Sequence, residues 1–194
     1  FLEDALRMMR AVRIASELNF KIEPATLNAI RSSAALINKI SGERIRDELF
    51  KILASNNPSK GVELLNETEL LEKILPELKK TFGVEQKSPQ RHHIYDVGTH
   101  LLKSLKEVQT QDPLVRLAVL IHDIGKPQTF KIQKNNVITF YNHEVVGARI
   151  AKEIAERLKL SKKQKDKLWK LVRWHQFTVN ENQTDTALRR FITK

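Results

Sequence analysis

The sequence predicts an all-α protein built from two successive helical units, with one small β-hairpin in the second. Three observations predict it. Apolar residues recur at steps of three and four through most of the chain. Prolines and short polar residues stand where helices would open. Only residues 129–140 alternate as a pair of strands would.

Residues 1–20 carry a helical period through Leu6, Met9, Val12 or Arg13, and Leu18. Pro24 suits the first helical position and opens a second helix over 25–33. Ser41 starts a third, with Ile45, Leu49, Ile52 and Leu53 on its apolar face. Asn56-Asn57-Pro58-Ser59 reads as a loop, and Pro58 opens a helix whose core side is Val62 and Leu65, with Leu64 beside them. A short helix over 68–75 is stopped by Pro76. Residues 79–92 lack periodicity and read as a linker, which divides the chain into units 1–86 and 87–194. Helix returns over 95–108. Asp112-Pro113 caps the next helix, which contains LVRLAVLIHDIG and ends at Gly125-Lys126-Pro127. The hairpin turns around Asn135-Asn136. Helices resume over 143–158 and 161–176, with a last one from about Thr184.

Composition narrows the function. With 41% hydrophobic and 29% charged residues the chain can bury a core, which argues against disorder. It has no cysteine, so a disulfide scaffold, a zinc ribbon and a thiol nucleophile are excluded. Any metal must be held by His and carboxylates. The lack of cysteine fits a reducing cytoplasm. The longest apolar run is residues 117–121, far short of the ~20 residues that a membrane helix needs. No signal peptide is visible, and a first residue other than Met, inside a helical pattern, reads as a fragment.

Charge is uneven. Residues 1–86 hold equal numbers of basic and acidic residues, so residues 87–194 carry the whole net charge of +11. The densest stretch, 159–173, contains Lys159, Lys162, Lys163, Lys165, Lys167, Lys170 and Arg173, with Leu160, Leu168, Leu171 and Val172 on one helical stripe. It reads either as a solvated helix face or as a surface that tracks RNA phosphates, with Lys162, Lys163 and Lys167 as the contacts.

All six histidines, His92, His93, His100, His122, His143 and His175, lie in the basic half. Taken singly, each is an ordinary surface or core residue. Their contexts say more. His122-Asp123 closes an apolar run, and burying that pair is costly unless it is satisfied or binds a cation. His100, His143 and His175 also fall at helix ends or on helix faces. Four such histidines and one aspartate suit a divalent-metal site. No Ser lies in a GxSxG turn, so the metal is the source of any nucleophile.

His100 … His122-Asp123, with HDIGK and the segment His143, Gly147, Ala148, Ala151, resembles the HD superfamily of metal-dependent phosphohydrolases over about 87–194. The resemblance implies that His100, His122 and Asp123 ligate a first metal, that His143 and His175 support a second, and that Lys126 approaches a substrate phosphate. His122, Asp123 and Lys126 would then be the catalytic set, with Mg, Mn or Ni as the ion. The family closes its site with a later Asp. The later aspartates here are Asp166, in the basic helix, and Asp185, which reads as a helix cap, so the closing Asp is expected beyond Lys194.

The segment FLEDALRMMRAVRIASELNF closely resembles the start of the neck domain of bacterial class II tRNA nucleotidyltransferases, the CCA-adding enzyme and poly(A) polymerase family. The match is to the EDxxR motif, here Glu3, Asp4 and Arg7, and SGERIRDELFKIL, LLNETELLEKILPEL and HHIYDVGTH agree with it. The resemblance implies tRNA as partner, CTP and ATP as substrates, and a catalytic head preceding Phe1. Asp4 and Arg7 would form the protein template that selects the base, with Glu3 supporting and Arg10 holding Asp4 or phosphate. The chemistry is consistent. Asp4 and Arg7 lie three apart on one helix face. A carboxylate can accept from the amino group of C or A, and a guanidinium can donate to the neighbouring ring nitrogen. The plain alternative is an exposed Asp4–Arg7 pair worth about 0.2–0.5 kcal/mol.

This chain has no DxD pair, no GxxxxGK and no Gly-rich phosphate loop, so it can read a base but not transfer a nucleotide. Two other functions remain open: a stand-alone HD phosphohydrolase of a nucleotide or cyclic phosphodiester, and a non-catalytic helical RNA-binding module.

Overall fold

The computed structural model describes residues 1–86 and 95–177. The first of these segments contains α1 (Leu6–Glu17), α2 (Pro24–Ser33), a 3₁₀ helix (Ala34–Lys39), α3 (Gly42–Ala54), α4 (Pro58–Glu67), α5 (Leu70–Ile74) and α6 (Pro76–Lys79). The second contains α7 (Val97–Glu107), α8 (Pro113–Ile121), α9 (Lys126–Thr129), α10 (His143–Arg157) and α11 (Lys162–Arg173). Between α9 and α10 lies a two-stranded antiparallel ribbon, β1 (Lys131–Ile132) and β2 (Ile138–Thr139). The all-α expectation with one small hairpin holds.

Sequence signals explain the helix starts. Pro24, Pro58 and Pro113 each stand in a first turn. Asp96 accepts from Thr99 N at 2.6 Å, and Asp112 from Leu114 N at 2.9 Å. Ser161 and Gln164 form a reciprocal capping box at the start of α11.

Several details differ from expectation. α1 ends at Glu17, which leaves Leu18 exposed rather than on the core stripe. Thr68 closes α4 by returning its hydroxyl to Leu64 O. Glu69 then adopts a left-handed φ of 62° and separates α5 from α4. Pro76 does not merely stop a helix but opens α6. The 3₁₀ helix after α2 has no periodic signal of its own. α8 ends at Ile121, so His122-Asp123-Ile124-Gly125 is a turn rather than helix, and Lys126-Pro127 begins α9. His175 lies two residues beyond α11. On α11 itself Leu168 and Val172 are buried, but Leu171 faces outward. The stretch expected to be a linker is packed where it is described: Thr81 and Gln86 are buried. Residues 87–94, with His92 and His93, lie outside the described residues, as do the helix expected from Thr184 and Asp185.

One apolar core runs through the described residues on both sides of Gln86. α3 packs on α8 and α4 on α7, while α10 lies along α11. Polar ties cross the same line. Arg116, buried in α8, donates to the carbonyls of Thr110, Leu53 and Ser55 at 2.5–2.7 Å. Arg157 clamps Glu77 with two nitrogens at 2.7 and 3.0 Å.

Asp112 predicts an acid dependence. The Lys167 ammonium, 2.7 Å away, and the α8 amides hold its carboxyl below the usual range, against a smaller effect of burial. A depressed folded pKa stabilises in full above the unfolded value of about 4, and that contribution is lost as pH falls through the folded value. Asp112→Asn keeps the cap oxygen but removes the charge. Its urea midpoint is expected below wild type at pH 7, with the gap closing as pH drops below about 4. A gap that stays constant would assign no role to the charge.

Candidate metal centre

Five side chains from five parts of the fold meet at one carboxylate. Asp123 sits in the turn after α8, with 5% of its side chain exposed. On one side, its Oδ2 lies 3.3 Å from His122 Nε2, 3.6 Å from His100 Nε2 on α7, and 2.6 Å from Lys126 Nζ on α9. On the other, its Oδ1 lies 3.1 Å from His143 Nε2 at the start of α10 and 3.5 Å from His175 Nε2 after α11. The site thus holds two overlapping trios, His100–His122–Asp123 and Asp123–His143–His175, and the donor atoms of each lie within 4.8 Å of one another. They open into a cavity of about 530 Å³ also lined by Lys126, Tyr141, Asn142, Glu144 and Gln176.

Local packing fixes this arrangement. A Cβ on Gly125 would stand 2.2 Å from His143 O and 2.7 Å from Gly147 N, so only glycine lets the HDIG turn lie against α10. That approach brings Asp123 to His143.

The donor chemistry fits a divalent cation. His122, His143 and His175 each place Nδ1 at 2.7–2.8 Å from a backbone carbonyl, those of Val119, Phe140 and Val172. A carbonyl only accepts, so Nδ1 carries the proton, and a neutral ring then presents an Nε2 lone pair to the cavity. Lone pairs from three rings face carboxylate oxygens, and His100 Nε2 meets His122 Nε2 at 3.3 Å. Protonating all four rings beside Lys126 would crowd five cations around one anion. A metal ion satisfies the same atoms without those protons. Burial by itself would raise the Asp123 pKa. Only rings that donate from Nε2 outweigh it: in that form His122, His143 and His175 hold the carboxyl well below the usual carboxylate range, whereas with Nε2 bare a cation must take that role.

Lys126 is anchored by Gln86 as well as Asp123: its Nζ donates to Gln86 Oε1 at 2.8 Å, and Gln86 Nε2 donates to Tyr95 O. Gln176 Nε2 lies 3.2 Å from His143 Nε2. Neither glutamine was identifiable from sequence. Gln86 stood in a stretch without periodicity, and Gln176 carried no signal beyond adjacency to His175. Asp166 is exposed on α11 and is not among the cavity-lining residues.

Of the other predicted site, Glu3 and Asp4 precede α1 while Arg7 and Arg10 lie in it, so Asp4 and Arg7 do not share a helix face as expected. Arg7 donates to Glu3 at 3.1 Å. Asp4 accepts from Leu6 N and from Arg44, with Arg10 at 3.9 Å. The backbone amide of Leu6 is the main cause of its lowered pKa. The surface pair Asp4–Arg7 is therefore not formed. Asp4 lines a second cavity with Glu3, Lys39 and Arg44, and Arg44 is the member that the sequence reading missed. Lys162 and Lys163 are exposed, whereas Lys167 is tied to Asp112.

Residues 91–192 match the family described as HD domain. The chain belongs to the HD-domain family. Residues 19–82 match a second family, described as the probable RNA and SrmB-binding site of polymerase A. The chain is 35% identical to an A-adding tRNA nucleotidyltransferase of Deinococcus radiodurans, over 97% of this chain and 45% of that protein. It is 34% identical to a multifunctional CCA protein of Tolumonas auensis, over 82% of this chain and 40% of the relative. A further multifunctional CCA protein, of Verminephrobacter eiseniae, is 36% identical over 82% and 39%. The recognition made from sequence, a tRNA nucleotidyltransferase and poly(A) polymerase type of neck and body followed by an HD domain, agrees with these matches. The HD-domain chain spans less than half the length of these curated relatives. No helix among its described residues is long and apolar enough to cross a membrane.

Proposed function

We propose that this chain is the base-selecting and RNA-holding part of a cytoplasmic tRNA 3′-end nucleotidyltransferase, and that its HD centre is a metal-dependent phosphohydrolase. Units 1–86 and 87–194 would divide these tasks, and a catalytic head outside this sequence would perform nucleotidyl transfer. The observation that carries the reading is the convergence of His100, His122, His143 and His175 on Asp123, within a chain similar along its length to tRNA nucleotidyltransferases.

In the HD centre, His100, His122 and Asp123 would hold one divalent ion and His143 and His175 a second, with Mg, Mn or Ni as candidates. Such ions supply a nucleophilic water with a pKa near about 7 and clamp phosphate oxygens. The backbone carbonyls of Val119, Phe140 and Val172 keep three imidazoles in the binding tautomer. Lys126 stands in the cavity wall with an ammonium that can donate to a phosphate oxygen.

In the first unit, Asp4 and Arg7 would select CTP and ATP. The Leu6 amide, with Arg44 and Arg10, keeps Asp4 ionised and oriented, and Glu3 holds Arg7 until a base displaces it. In the complete enzyme Arg7→Ala is expected to lower incorporation of both CTP and ATP while tRNA binding persists. Asp4→Ala is expected to relax selection against UTP, whose O4 the carboxylate repels. A bidentate base contact is worth about 1–3 kcal/mol, so changes of roughly ten- to hundredfold are expected in single-turnover incorporation. Unchanged nucleotide choice in both variants would reduce the pair to exposed helix residues.

tRNA binding rests on the basic half. Because Lys167 also supports Asp112, the clean test reverses Lys162 and Lys163 alone. The slope of log affinity against log salt is expected to fall by about 0.7–0.9 per lost phosphate contact. An unchanged slope would make α11 a solvated face.

A further inference from the structure

Tyr141 is the one large aromatic side chain among the described cavity-lining residues that projects into solvent, at 73% exposure. Its surroundings fix the backbone that carries it. His143 N donates to Phe140 O at 3.2 Å, closing a turn over residues 140–143. Phe140 is buried and packs edge-on against Phe130, with ring centroids 5.8 Å apart. Asn142 takes a left-handed φ of 63°. His143, at the other end, is a metal-centre histidine whose Nδ1 also bonds Phe140 O. The turn is thus pinned by a core ring on one side and a ligand on the other, and Tyr141 between them is turned outward at the cavity rim. Among the described residues its hydroxyl forms no hydrogen bond and its ring no aromatic or cation contact.

We propose that Tyr141 is the base-stacking residue of the HD centre and sets its preference for nucleoside phosphates over other phosphate esters. This rests on the phosphohydrolase reading above. The metal-centre side chains and Lys126 form the charged floor that suits a phosphate. Tyr141 gives the same cavity one flat apolar wall at its mouth. A nucleotide presents the same two parts, a phosphate and a π-face, linked by a sugar. An exposed ring on a pinned turn binds such a face with little ordering cost, and stacking tolerates every base.

The test uses the manganese-loaded chain with adenosine 5′-monophosphate and ribose 5-phosphate, which carry the same phosphate with and without a base. Binding is measured by calorimetry, and phosphate release is measured in parallel. Wild type is expected to bind the nucleotide roughly five- to hundredfold more tightly than the sugar phosphate. Tyr141→Ala should bring that ratio close to one, whereas Tyr141→Phe and Tyr141→Trp should keep it. Equal binding of the two probes by wild type, an unaltered ratio in Tyr141→Ala, or a Phe variant that behaves like Ala would overturn the assignment. Phosphate release from both probes with a ratio that ignores Tyr141 would leave the phosphohydrolase reading standing without the stacking. A Tyr141-dependent binding ratio with no phosphate release would do the reverse.

Discussion

Asp123→Ala is expected to strip the purified chain of divalent metal. Asp123 is the only residue shared by both ligand trios, and each of its oxygens serves one of them. Changes to outer-shell partners of a metal typically cost about 10–100-fold in affinity, and loss of a shared ligand should cost more than that. Elemental analysis after loading with manganese or nickel should show stoichiometric metal on wild type and little on the variant, with His122→Ala behaving alike. The variant also leaves Lys126 without its carboxylate, so circular dichroism should accompany the measurement to establish that the helices persist. Equal metal on a folded Asp123→Ala would remove the centre from the reading.

The second large effect concerns stability. Arg116 is buried, and its three acceptors are carbonyls, two of them, Leu53 and Ser55, at the C-terminal end of α3. The last carbonyls of a helix have no partner within it, and a guanidinium there also meets the negative end of the dipole. Arg116→Ala removes every one of these donors and leaves the buried Leu53 and Ser55 carbonyls without them. Each buried group left unpaired costs about 1–3 kcal/mol, which suggests a loss of about 3–5 kcal/mol in urea unfolding. At this chain length that corresponds to a fall in Tm of roughly 6–20 °C. Arg116→Lys should lie between, since it keeps the charge and loses the fork. A loss below about 1 kcal/mol would mean that water replaces the arginine.

The apolar stripes of α3 and α4 were legible because helical period alone selects Leu49, Ile52, Leu53, Val62 and Leu65, and all five are buried. The end of α8 was not. Ile124 is as buried as Ile121, so the apolar pattern continues through a turn that is no longer helical. What stops the helix is the contact of Gly125 with His143, eighteen positions later, and no local pattern records it. The candidate metal ligands were legible as types, since His and Asp without Cys leave few other roles. Their grouping around one carboxylate depended on tertiary packing. The same holds for Gln86, which reaches Lys126 across forty positions of sequence. At the start of α1, spacing suggested an Asp4–Arg7 pair, which does not form because Asp4 precedes the helix. Glu3 is a local i,i+4 partner of Arg7, whereas Arg44, the partner of Asp4, depends on how α3 lies against α1.

The measurement that bears most directly on the metal centre is the electron spin-echo spectrum of the chain loaded with Mn²⁺. Coordination through Nε2 of His100, His122, His143 and His175 predicts nitrogen modulation from bound imidazole, which disappears together with the bound Mn²⁺ in Asp123→Ala. A spectrum that shows water protons alone, with no nitrogen coupling, would contradict it.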